Sequence, residues 1–112
     1  MSKWSSTPPL TSGQMKICAG MVESADGEPY LTAISFAETA LRLNCFDMTE
    51  AQGRRLAKAV QLNLVNRKDY PVDLLCYTHD LPIGKRRFYA ERRQFCHALL
   101  WQLGLLPPDC TI

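Results

Sequence analysis

The chain is 112 residues long, 46% hydrophobic and 21% charged, with a formal net charge of +2 and a mean hydropathy of −0.16, which fits one globular domain and excludes intrinsic disorder of the whole chain. No apolar run approaches the roughly 18 to 20 residues of a membrane-crossing helix, and the opening Met1-Ser2-Lys3-Trp4 lacks a signal-peptide stretch, so a cytoplasmic protein without a membrane partner is expected. Residues 1–83 carry 8 basic and 9 acidic side chains and residues 84–112 carry 5 and 2; all five of those cations lie between Lys85 and Arg93, so positive charge is concentrated in one short segment.

Residues 1–10, rich in Ser, Thr and Pro, read as an irregular arm that Trp4 and Leu10 can pin to the body. Thr11 or Ser12 caps a first helix to about Glu23, with Met15, Cys18, Ala19 and Val22 at helical spacing. A turn follows at Asp26-Gly27; the flanks do not alternate apolar with polar residues, which disfavours a β-hairpin there. Ile34, Ala37 and Leu41 mark a second amphipathic helix over residues 32–43. Thr49 and Gln52 stand at capping-box spacing and open a third helix to about Val65, along the line Leu56, Val60, Leu64. Gly53 costs its first turn about 1 kcal/mol relative to alanine.

Asp69-Tyr70-Pro71 reads as a cap followed by a first-turn proline, opening a short helix to Thr78 in which Leu74 and Leu75 face the core. After a break at residues 79–84, a long final helix runs from Lys85 to about Leu103, on the stripe Phe88, Phe95, Leu99, Leu103. That stripe leaves Arg86, Ala90, Arg93 and His97 on other faces. Gly104 and Pro107-Pro108 stop the helix. The expectation is an all-α fold: a compact bundle of about five helices, one domain over residues 11–106, and a tail over 107–112.

The five cysteines are odd in number, and Cys18, Cys45, Cys76 and Cys96 sit among apolar neighbours, the pattern of reduced core residues. Cys76, His79, Cys96 and His97 supply four zinc-ligand types, but Cys96 and His97 are consecutive and point about 100° apart on a helix. Two buried cysteines and a surface histidine are the simpler reading, with no metal and no cofactor. Cys76 with His79 is also the sole local nucleophile–base pair, without a phosphate loop or paired carboxylates, so an enzyme is not expected.

Residues 71–103 have the layout of a helix-turn-helix, with cations in the first turns of the second helix. Three cations in a first turn oppose the helix dipole, each by about 0.3 to 1 kcal/mol when exposed, and an anionic partner removes that cost. Arginine binds phosphate or the guanine edge bidentately, and a tyrosine donates to phosphate. The candidate DNA-binding residues are therefore Lys85, Arg86, Arg87, Tyr89, Ala90, Arg92 and Arg93.

The string from Asp80 to Phe95, with Leu81-Pro82, Lys85-Arg86-Arg87, Phe88-Tyr89, Arg92-Arg93 and Phe95, resembles the C-terminal helix-turn-helix of small phage and prophage transcriptional regulators of the ArpU/RinA type. The layout is also that of sigma-factor region 4. About 35 residues carry the likeness; Gly84 replaces the more usual serine cap. The resemblance implies a regulator that binds double-stranded DNA, as a homodimer or with RNA polymerase. The alternative is a small all-α module that docks on a host protein through the basic helix and the Trp101, Leu105 and Leu106 end.

Overall fold

Thr11 and Thr49 each start a helix by the same reciprocal exchange. In the computed structural model, which describes residues 10–105, the Thr11 hydroxyl accepts from the Gln14 N–H at 3.1 Å while the Gln14 amide accepts from the Thr11 N–H at 2.8 Å. Thr49 and Gln52 repeat the pattern at 3.1 and 2.9 Å. Each box satisfies donors that a helix start otherwise leaves free, and they open α1 (Ser12–Ser24) and α3 (Glu50–Val65).

Between them, α2 (Tyr30–Asn44) starts two residues earlier than its apolar pattern predicts. Glu28 is the cause: its carboxylate accepts from both the Thr32 N–H and the Thr32 hydroxyl, so the first turn closes ahead of the periodic residues. Gly53, the weak point of α3 by propensity, is buried beneath α2. A methyl group there would lie 3.2 Å from Cγ of Arg42, so the missing side chain makes room for that stem.

The short helix α4 (Val72–Thr78) differs from expectation at its start. Asp69 is not the cap. Its N–H and carboxylate bond to Asn66 across the preceding loop, at 3.1 and 2.8 Å, and Pro71 stands at the cap position itself. Val72 and Leu75, three residues apart, form the buried face of α4; Leu75 is in the core as expected, but Leu74 is exposed, because it lies about 100° round the helix from Leu75 and away from Val72.

Two helices end in the same way. After α5 (Lys85–Gln102), Gly104 takes φ +70°, its N–H bonds to the Trp101 carbonyl, and the Leu105 N–H bonds to the Leu100 carbonyl. After α4, Asp80 takes φ 51°, with Asp80 bonding back to Tyr77 and Leu81 to Cys76. These are Schellman closures, which return the orphan carbonyls of a last turn to the backbone. The second one buries Leu81 and aims the chain toward α5.

Helix α5 packs against each of the other four, most extensively α2. Its residues 94–100, two full turns, are all buried. A helix dry on every side lies at the centre of a bundle, and α2 approaches it with the small inward residues Ala33 and Ala37. This replaces the expected single stripe. His97 is buried, not at the surface, because α5 has no wet face at that level. Cys18, Cys45 and Cys96 are buried as expected, with Cys76 half-buried.

The described residues thus form a compact all-α bundle of five helices with a radius of gyration of 13.1 Å. None of these helices is long and apolar enough to cross a membrane. The arm with Trp4, the residue Leu106 and the tail over 107–112 lie outside the described residues, apart from Leu10, which packs on the core.

Two substitutions test this frame by thermal or urea melting. Phe95→Ala removes a fully buried ring from the central helix and is expected to cost about 3 to 5 kcal/mol. Thr49→Ala breaks one capping box and is expected to cost about 1 kcal/mol.

Candidate nucleic-acid interface

The left-handed Asp80 and the buried Leu81 bring the chain to Gly84, where α5 begins without a side-chain cap. Its first turn contains no acidic residue. Lys85, Arg86 and Arg87 therefore stand where the helix dipole is positive and several backbone N–H groups lack intrahelical partners. The three side chains part company at once. Lys85 and Arg86 are exposed, whereas Arg87 turns back along the protein.

Arg87 is held on two sides. Its Nε donates to Oε2 of Glu91 at 2.7 Å, one turn along the same helix, on a carboxylate whose side chain is only 3% exposed. Its two Nη groups donate to Asp47, in the α2–α3 connection, at 2.9 and 3.0 Å. The bidentate hydrogen bond from Arg87 holds the Asp47 carboxyl down at about 2, below its ordinary 3.8. Asp47 in turn raises the Arg87 guanidinium further above its already high value. Burial, reinforced by the nearby Glu91 charge, pushes the adjacent Cys45 thiol up to about 11 and leaves it a poor nucleophile.

Arg92 is also committed internally. Its Nη1 donates to Oδ1 of Asn63 at 2.7 Å, and the amide of Asn63 donates to the Tyr70 carbonyl at 2.8 Å, so α5 is tied to α3 and to the loop leading to α4. The Arg92 guanidinium lies 4.8 Å above the Tyr89 ring, which meets Phe88 edge to face. Partial burial lowers the Arg92 proton affinity.

Arg93 is half-buried, with a buried Nε, and Ala90 is half-buried beside it. Of the seven residues that the sequence singles out, Lys85, Arg86, Tyr89, Ala90 and Arg93 gather on one side of the first three turns of α5, with Lys85 and Arg86 the fully open members. Arg87 and Arg92 are turned to other duties. Three residues that the sequence reading passed over, Asp47, Glu91 and Asn63, decide that split. The Arg87–Glu91 spacing of four was a visible signal; the partners from α3 and its preceding loop carried none.

Comparison of the chain with protein-family models, curated proteins and solved structures returned no match.

Two measurements check the Arg87 network. Arg87→Ala strands the buried Glu91 and is expected to cost about 2 to 4 kcal/mol, less than a fully buried pair because Arg87 is partly solvated; Glu91→Gln in the same chain should recover part of the loss. Asp47 has a depressed folded-state pKa, so its contribution to stability is complete above about pH 4 and is lost as pH falls through about 2. Urea melts of the native chain and of Asp47→Asn should therefore converge across that window and stay parallel above it.

Proposed function

We propose that the chain binds double-stranded DNA and acts as a transcriptional regulator, with α4 and α5 serving as a helix-turn-helix and the open side of α5 entering the major groove. The observation that carries this reading is the one-sided display of Lys85, Arg86 and Arg93 around the small Ala90, while the acid of the same helix, Glu91, is buried. Residues 86, 90 and 93 follow the i, i+4, i+7 rhythm of one helix face. Exposed arginine and lysine at an uncapped helix start are costly when alone and favourable against phosphate. A small residue at position 90 leaves space for base edges to approach.

The proposed contact set is narrower than the full basic run. Arg92 acts as an internal brace through Asn63, Arg87 is engaged with Glu91 and Asp47 in the free protein, and Tyr89 serves partly as the platform for Arg92. One such unit reads a short half-site, which fits action as a homodimer or beside RNA polymerase in the cytoplasm.

A second reading has its own support. Tyr77, 86% exposed, and Phe46, 79% exposed, are large apolar side chains in water, and Trp101 and Leu105 are partly exposed at the other end of α5. Such residues suit a small all-α module that docks on a host protein.

Salt titration of binding to duplex DNA separates the two. Neutralising about three phosphates predicts a log–log slope near −3, roughly 0.9 per contact. Arg86→Ala is expected to cost about 1 to 3 kcal/mol on a preferred site and to relax specificity. Arg93→Ala is expected to weaken all duplexes alike and to reduce the slope by about one unit. Neither should lower the melting temperature appreciably. Full duplex affinity in both variants, with loss of a protein partner, would decide for the second reading.

A further inference from the structure

Arg87 presents a finished oxyanion site. Its Nε is fixed by the buried Glu91, which sets the plane of the guanidinium, and its two outward Nη groups form a fork on Oδ1 and Oδ2 of Asp47. The two carboxylates differ in standing. Glu91 belongs to the interior, whereas the Asp47 side chain is 61% exposed and sits on the solvent side of the fork. A planar arginine fork matches carboxylate and phosphate oxygens alike. The surroundings favour the more highly charged anion: an uncapped helix start, no acid in the first turn, and exposed Lys85 and Arg86 beside it.

We infer that the Arg87 fork is a phosphodiester-binding site and that Asp47 is its resident competitor, displaced by a backbone phosphate when a duplex arrives. The inference rests on the DNA reading above and deepens it. Exchange is favourable on two counts. The pair is open to solvent on its aspartate side, 61% exposed, and an arriving phosphate takes over the same two Nη donors, so the fork is not left empty by the exchange. A carboxylate left in place at the edge of the cationic face would repel the incoming strand. The backbone around Asp47 is anchored independently of its side chain, by the buried Cys45 and by the Met48 N–H bonded to the Cys45 carbonyl, so the exchange asks only for rotation of the Asp47 side chain.

A simple brace predicts the opposite outcome for the same substitution. If Asp47 served to position α5, neutralising it would loosen the first turn and weaken binding. As a competitor, Asp47 lowers affinity, and neutralising it should strengthen binding.

The experiment measures binding of the full chain to duplex DNA between about 50 and 200 mM salt. Asp47→Asn is expected to raise affinity about five- to tenfold at the low end and to steepen the log–log slope by about one unit, because in the native chain the displaced carboxylate takes up a cation that offsets the one the phosphate releases. Asp47→Ser, which cannot mimic the fork-filling carboxylate, should behave in the same way. In an Arg87→Gln background the slope increment should vanish. Unchanged or weaker binding by both Asp47 variants, in chains that circular dichroism shows to be folded at the assay temperature, overturns the inference. A second readout needs no DNA: inorganic phosphate titrated against the Arg87 Nε–H resonance should act at lower concentration in Asp47→Asn than in the native chain. A phosphate response in that variant without any duplex binding would leave the oxyanion site standing and remove the DNA reading. Duplex binding with no phosphate response and no change of slope would do the reverse.

Discussion

Two turns of α5 have no face toward water, and the rest of the molecule is arranged to make that possible. A helix enclosed on every side needs neighbours that come close, and the buried residues of α2 and α3 include small ones accordingly, Ala33 and Ala37 on α2 and Ala57 and Ala59 beside Leu56 and Val60 on α3. Gly53 extends the same logic to the contact between α2 and α3, where the stem of Arg42 takes the space of a methyl group. Two polar residues in this interior are tied across it: Glu91 to Arg87, and Asn63 to both Arg92 and the Tyr70 carbonyl. Their bonds offset desolvation and also fix the rotation of α5, because an apolar contact alone tolerates sliding whereas a charge-assisted hydrogen bond does not.

The consequence is a helix with two unlike halves. From Gln94 to Leu100 it is core. Before Arg93 it is core on one side, through Phe88 and Glu91, and open on the other, through Lys85 and Arg86, with Ala90 half-buried between. Stability and exposure are thereby separated along one element. The buried half supplies rigidity, and the open half carries cations at a helix end where they are unfavourable to folding. Rigid support under an energetically awkward surface is what a preorganised binding face requires.

Much of the frame was legible in the sequence because its signals are local. Thr11 with Gln14 and Thr49 with Gln52 act over three residues, and Gly104 needs only its own left-handed backbone, so the corresponding helix ends could be read directly. Misreadings arose where two local signals competed. Asp69 has the chemistry of a cap, yet Asn66 lies three residues before it and closes a turn first. The stripe Phe88, Phe95, Leu99 was correct but incomplete, since a one-sided pattern cannot reveal that Cys96, His97 and Leu100 are covered as well. The candidate site was legible in location and not in detail. Arg86 and Arg87 are the same residue type at neighbouring positions; their opposite fates depend on Asp47, 40 residues away in the chain, and no spacing rule reaches that far.

The length of the open face limits what one molecule can recognise. From Lys85 to Arg93 the helix rises about 12 Å at 1.5 Å per residue, comparable to the roughly 12 Å width of the DNA major groove. Past that point α5 enters the body, so no further turn can follow the groove. On the proposed DNA reading, a face of this length would reach a few base pairs, with Arg86 toward the groove and Arg93 toward its wall. Long-site recognition on the proposed DNA reading must then come from outside the reading helix, through a second copy or a protein partner. The molecule keeps the means for such a contact apart from its cations, since Trp101 and Leu105 stand exposed at the opposite end of the same helix. A partner seated there would leave the Lys85–Arg86 end free, and that polarity follows directly from burying the middle of α5.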